Sequence, residues 1–169
     1  NSLFYTARAL NRLNQDEEAL KVYMSALDKW EELGKEEESA LVYNDLGNYY
    51  SARSDFQSAV NFYEKTLEIR RKGNNLRSTG ITLNNLGNQY LQLGNFDKAI
   101  NCYKEASEIF KKIGFDRGTA ATLNGMGAIY ENLRQYKPAL EVYNEVVAIY
   151  TRNKDKYELA NALSNIAVT

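Results

Sequence analysis

Leu86-Gly87-Asn88-Gln89-Tyr90 is the stretch on which the reading of this chain turns. Forty residues upstream stands Leu46-Gly47-Asn48-Tyr49-Tyr50, and forty downstream stands Met126-Gly127-Ala128-Ile129-Tyr130. A second set keeps the same step: Ala19, Ala59, Ala99 and Ala139, each followed four residues later by Tyr23, Tyr63, Tyr103 or Tyr143. A recurrence of this length predicts stacked copies of one supersecondary unit, each too small to bury its own apolar face. Arrays of that kind usually present extended binding surfaces.

Each copy divides into two predicted helices. Gly80 to Leu93 carries Ile81, Leu83, Leu86, Tyr90 and Leu93 at gaps of two to four residues, which is one amphipathic helical face. Gly94-Asn95 signals a turn. Phe96 to Lys112 then carries Ala99, Ile100, Tyr103, Ala106, Ile109 and Phe110, a second amphipathic helix, and Gly114 closes the unit. The column 7, 47, 87, 127 and 167 reads Ala, Gly, Gly, Gly, Ala. A glycine inside a helix costs about 1 kcal/mol relative to alanine, so its recurrence at one site predicts close backbone approach. Pro138 falls in the first turn of a second helix, where no intrahelical N–H is lost.

Composition narrows the function classes. The chain has 169 residues, 44% hydrophobic and 25% charged, enough apolar material for a continuous core. A net charge of -1 leaves no basic surplus to neutralise phosphates, so no nucleic-acid partner is expected. No apolar run reaches the roughly 18 residues of a membrane span and no signal peptide opens the chain, so no membrane insertion is expected. The single cysteine, Cys102, lies in an apolar column with Val22, Phe62 and Val142, and reads as a buried small hydrophobe in a reducing compartment. With no histidine at all, Ser-His and Cys-His nucleophiles and His-containing metal sites are excluded. No phosphate loop, metal-ligand spacing or nucleophile elbow occurs. The expectation is a non-enzyme with no cofactor and no metal.

The spacing Leu-Gly-x-x-Tyr, then Ala, then an aromatic four later, then a small residue, resembles the tetratricopeptide repeat family over essentially the whole chain. Leu86, Gly87, Tyr90, Ala99, Tyr103 and Ala106 match best. The family's usual closing proline is replaced by Glu31, Arg71, Lys111 and Thr151, and the unit is 40 residues long. This variety is similar to the repeats of Pins/LGN polarity adaptors, kinesin light chains, ciliary tetratricopeptide proteins and repeat sensors of bacterial signalling proteins. The resemblance implies an all-α, right-handed α-solenoid of antiparallel helix pairs. Units are expected at about 1–37, 38–77, 78–117 and 118–156, with a partial fifth over 157–169, all in one array that is a fragment of a longer protein.

In this family the first helices of successive units line a concave surface. Asn44 and Asn48 lie four apart on one helical face, and Asn84 and Asn88 repeat the pair. Asn124 and Asn132 continue it around Ala128, and Gln92 extends it by one turn. A side-chain amide offers donors and an acceptor, so several in a row suit the backbone of an extended or helical peptide segment. Asparagine also caps helices and spaces repeats, so the alternative reading of Asn44, Asn84 and Asn124 is as inter-repeat spacers. Arg8 and Arg12 stand at the equivalent places of the first unit, as charge recognition or as a solvated helix face. Arg70-Arg71-Lys72 reads as solvated helix-end charge.

These residues predict a non-catalytic scaffold. It would bind a peptide segment of another protein, or of a flanking domain, through an asparagine ladder: Asn44, Asn48, Asn84, Asn88, Gln92, Asn124 and Asn132, with Arg8 and Arg12. The competing readings are a structural component of a large cytoskeletal or ciliary assembly that uses convex faces and edges, and a regulatory repeat domain of a signalling protein. The expected location is intracellular and cytoplasmic, with cytoskeletal association open.

Overall fold

The computed structural model describes residues 2–168. Among them nine helices follow one another: α1 (Ser2–Arg12), α2 (Asp16–Glu32), α3 (Glu36–Ala52), α4 (Phe56–Lys72), α5 (Leu76–Gln92), α6 (Phe96–Lys112), α7 (Asp116–Asn132), α8 (Tyr136–Arg152) and α9 (Lys156–Val168). From α2 onward each helix starts 20 residues after the last, so the 40-residue sequence period is two helices with identical three-residue connections.

The connections explain that regularity. Asn14, Gly34, Ser54, Asn74, Gly94, Gly114, Arg134 and Lys154, all 20 apart, hold positive φ. Each ends its helix in the left-handed conformation that glycine and asparagine adopt most readily. At Gly94 the pattern is complete: its N–H donates to Leu91 O at 3.0 Å and that of Asn95 to Tyr90 O at 2.8 Å. The same paired bonds recur at Gly34, Ser54, Gly114, Arg134 and Lys154. Asp55 and Asn95 then cap α4 and α6 by accepting from the backbone N–H of Ser58 and Lys98.

α5 begins at Leu76, four residues before the apolar periodicity starts. The buried positions of that first stretch are held by Thr79, Gly80 and Thr82, which give no hydrophobic signal. Thr82 satisfies its hydroxyl by donating to Ser78 O one turn back, at 2.9 Å.

The helices collect into two compact units, Asn1–Asn75 and Leu76–Thr169. In the first, α1 packs on α2, α2 on α3 and α3 on α4, and α1 also meets α3. In the second the same sequence runs from α5 to α9, and α5 meets α7. The core of the first unit includes Phe4, Ala7, Ala19, Tyr23, Trp30, Val42 and Leu46. Trp30 packs at 5.4 Å from Phe4. In the second unit Ala120, Leu123, Val146, Ile149 and Ala162 gather α7, α8 and α9 into one cluster.

Candidate functional site

On α3, Leu41, Asn44, Asn48 and Ala52 share one face; on α5 the matching set is Ile81, Asn84, Asn88 and Gln92; on α7 it is Ala121, Asn124, Ala128 and Asn132. Asn48, Asn88, Gln92 and Asn132 are exposed, and Asn44, Asn84 and Asn124 half-buried. Leu41 and Ile81 are exposed apolar side chains on these same faces. Leu41 carries no role in the sequence reading, and Ile81 is a correction: the periodicity puts it on the apolar face with Leu83 and Leu86, but it lies three residues before Asn84 on the exposed side, and Leu93 is exposed as well.

A glycine, a tyrosine and an asparagine make one device, built once in each unit. A Cβ placed on Gly47 would lie 2.7 Å from Cε1 of Tyr63, so the bare backbone of α3 is what lets that ring lie against it. The ring is buried, and its hydroxyl emerges beside Asn48, donating to Oδ1 at 2.7 Å. In the second unit Gly87 receives the ring of Tyr103, whose hydroxyl donates to Asn88 Oδ1 at 2.6 Å. Gly125 on α7 closes on the other side of that ring. Each glycine costs about 1 kcal/mol of helix propensity, less than the roughly 2–3 kcal/mol that burial of an aromatic side chain contributes. Burial pushes both phenols up to about 12, so the two hydroxyls remain protonated donors at neutral pH. Each amide thus turns its oxygen to the protein. Among the described residues no acceptor meets Nδ2 of Asn48 or Asn88, which keeps both its donors.

The tyrosines that flank these two find carboxylates instead. Tyr143 has Ala128 where the others have asparagine, and donates to Glu131 Oε2 at 3.0 Å. Tyr23 has Arg8 there, and donates to Asp45 Oδ2 at 3.4 Å.

The remaining predicted side chains are placed differently. Arg8 is tied to Asp45, its Nε 2.7 Å from Oδ2. Burial raises the Asp45 carboxyl above the ordinary range, and Arg8 opposes that rise. Arg12 is exposed in the last turn of α1. Asn44 Oδ1 accepts from Arg70 Nη1 at 3.3 Å, and Asn124 Oδ1 accepts from Asn165 Nδ2 at 3.5 Å. Arg70 itself is a correction. It is buried rather than solvated, because it occupies the column of Trp30, Phe110 and Tyr150 and extends its guanidinium to Asn44. Cys102 is half-buried rather than buried, as are Val22, Phe62 and Val142 in its column. A cavity of about 430 Å³ opens in the first unit among Glu31, Lys35, Tyr43, Lys65, Glu68 and Lys72, and none of the asparagines lines it. Among the described residues no group of three or more acidic or cysteine side chains could hold a metal ion, and no helix is long and apolar enough to cross a membrane.

The tetratricopeptide repeat model matches residues 3–72 and 78–152. The chain belongs to the tetratricopeptide repeat family. It is similar to a signal transduction ATPase with numerous domains and a tetratricopeptide repeat sensor from Pyrococcus horikoshii, with 22% identity over 98% of this chain and 26% of that one, and a TM-score of 0.87. It is also similar to the kinesin light chain repeats of Podosopora anserina, with 21% identity over 97% of this chain and 84% of that one, at 0.77. A Rap protein complexed with the competence and sporulation factor matches at 18% identity over 95% of this chain and 45% of that one, also at 0.77. No curated protein matches the sequence. The fold is therefore an all-α helical repeat solenoid, of the kind that serves as a protein–protein interaction scaffold.

Proposed function

We propose that this tetratricopeptide array is a non-catalytic scaffold that binds an extended or helical peptide segment, of another protein or of a flanking domain, on its first-helix face. The observation that carries the reading is the pair of exposed amides, Asn48 and Asn88, each with its oxygen held by a buried tyrosine and its Nδ2 donors left open. An extended or helical peptide has backbone carbonyls to meet such donors, whatever its side chains. Asn84, Gln92 and Asn132 add amides on the same faces, and Leu41 and Ile81 add apolar surface beside them. Asn44 and Asn124 hold the array together as well, through Arg70 and Asn165, and combine the spacer and ladder roles. Arg8 is committed to Asp45, so Arg12 is the cation left to add charge recognition at the end of the first unit. The Rap protein complexed with its factor is a precedent in a related fold for a repeat array that carries a bound partner. The proposed setting is the cell interior, where Cys102 stays a thiol.

The test replaces Asn84 and Asn88 together by Ala and measures capture of the partner by cross-linking pull-down. Capture should fall at least about tenfold, the loss expected from removing one or two hydrogen bonds. Unchanged capture by a variant with an unaltered helical circular dichroism spectrum would reject the ladder and favour binding through convex faces and edges.

A further inference from the structure

We propose that the cavity between the end of α2, the start of α3 and α4 binds a free amino acid, with Lys65 taking its carboxylate and Glu36 its ammonium group. The site lies within the first unit, apart from the asparagines, and does not depend on the peptide-binding reading.

The second unit shows the same place spanned by charge. Lys111 Nζ on α6 meets Glu145 Oε1 on α8 at 2.6 Å, and Arg152 Nη2 on α8 meets Asp116 Oδ1 on α7 at 2.7 Å. Two repeats earlier the same four positions hold Glu31, Lys65, Lys72 and Glu36. Each pair again sets a cation opposite a carboxylate, yet neither bridge forms. Tyr43, which stands in the column of Leu123, donates from its hydroxyl to Glu31 Oε1 and turns that carboxylate away from Lys65. Burial, together with Glu31, pushes the Tyr43 phenol up to about 12, so the hydroxyl keeps its proton at neutral pH and holds Glu31. Lys72 pairs along its own helix with Glu68 at 3.0 Å. What ion pairs span in the second unit is, in the first, an open cavity of about 430 Å³.

The charges left over decide the ligand. Among the described residues neither Lys65 nor Glu36 makes an ion pair. Lys65 Nζ lies instead 5.0 Å from the centre of the Tyr43 ring and 6.0 Å from that of Phe62, contacts that place the ammonium without neutralising it. Glu36 lines the same cavity from the first turn of α3. The charged lining is three lysines and three glutamates, so a bare anion meets carboxylates and a bare cation meets ammonium groups. A zwitterion answers both signs at once. Ile69, half-buried in the lining, offers apolar surface to an aliphatic side chain. The volume falls within the roughly 300–1,000 Å³ of small-ligand sites.

The experiment titrates each of the twenty common L-amino acids into the intact chain by calorimetry. The best binder is then compared with its N-acetyl derivative, which has no ammonium, and its carboxamide, which has no carboxylate. At least one amino acid should bind with a Kd of about 1 mM or tighter, and both derivatives should bind at least about tenfold more weakly. K65M and E36Q change exposed side chains and should keep the helical circular dichroism spectrum. Each should weaken the parent amino acid at least about tenfold. Tyr43 is the positioning residue. Y43L frees Glu31 to bridge to Lys65 and should weaken binding about tenfold, and adding E31Q, which cannot make that bridge, should recover at least about threefold.

Binding of no amino acid, or binding that survives both K65M and E36Q, would overturn the site. An N-acetyl derivative as tight as its parent would show that only the carboxylate is read, and the ligand would be an organic anion instead of a zwitterion. Y43L binding like wild type, or a Y43L loss that E31Q does not relieve, would overturn the role of Tyr43 in keeping the cavity open.

Discussion

Asp45 brings a carboxylate into the core of the first unit, and one exposed arginine answers it. Its burial raises the folded pKa, so the side chain takes up a proton at a higher pH when folded than when unfolded. Ionisation of Asp45 therefore erodes stability as pH rises through that folded value. Arg8, at 2.7 Å, offsets this erosion, and Tyr23 adds a hydrogen bond. Removing the guanidinium leaves the carboxylate buried with less compensation and raises its folded pKa further. Because the Arg8 side chain is 47% exposed, the loss belongs between the surface and buried extremes. Arg8→Ala should destabilise the chain by about 1–2 kcal/mol at neutral pH. The loss should shrink in acid and vanish once Asp45 is protonated in both folded and unfolded states. Urea unfolding at the two pH values checks it; an equal loss at both would mean that Arg8 acts through its packing over the Phe4 ring, 4.9 Å away.

The helices are set by two kinds of glycine with opposite tolerance to change. Gly87 lies within α5, where a Cβ would come within 2.7 Å of the Tyr103 ring, and Gly125 blocks the ring's retreat. Gly87→Ala gains about 1 kcal/mol of propensity, yet should lose about 1–3 kcal/mol net through overpacking. Arg134 stands at the opposite case. It holds φ 56 at the end of α7, in the place that Gly34, Gly94 and Gly114 occupy elsewhere. Arg134→Gly should raise stability by about 1 kcal/mol, because the left-handed strain disappears. The shift in urea midpoint reads both changes, and a stabilising Gly87→Ala would show that Tyr103 has room to move. This contrast also marks what was legible in the sequence. The Leu-Gly-x-x-Tyr and Ala-x-x-x-Tyr columns specify both helices because each is a packing position with a steric requirement. The 20-residue step was hidden, because Asn14, Ser54, Asn74, Arg134 and Lys154 meet the positive-φ requirement without glycine. The start of α5 was hidden because threonines occupy its buried face. At the candidate site, the shared face of Asn84, Asn88 and Gln92 was readable from spacing alone. The tyrosine behind Asn88 was not, since Tyr103 lies 15 residues away on another helix, and only the fold brings the hydroxyl to the amide. Arg70 was misread for a related reason: its residue type says surface, and its column says core.

Across the molecule, stability should follow the rule for stacked repeats, in which each helix pair is held by its own packing and its immediate neighbours. The second unit offers the comparison, since α7 has helices on both sides and α9 meets α8. Ala120, Leu123 and Gly127 of α7 are buried. Their counterparts on α9, Ala160, Leu163 and Ala167, are exposed, with Leu163 at 49%. Ala162 and its neighbours on α7 and α8 hold α9 by its other face. Fewer buried contacts mean that α9 opens locally at a lower free energy than α7 does. Its amides should exchange with deuterium at least about tenfold faster than those of α7, a difference of about 1.4 kcal/mol. Peptide-resolved exchange at neutral pH measures this, and α6 and α7 should be the slowest helices of the unit. Equal protection of α7 and α9 would mean that the unit opens as one cooperative block. Substitutions at the Asn88 face would then be felt at Leu163, four helices further along the chain, and the binding face could not be altered without changing the stability of the whole unit.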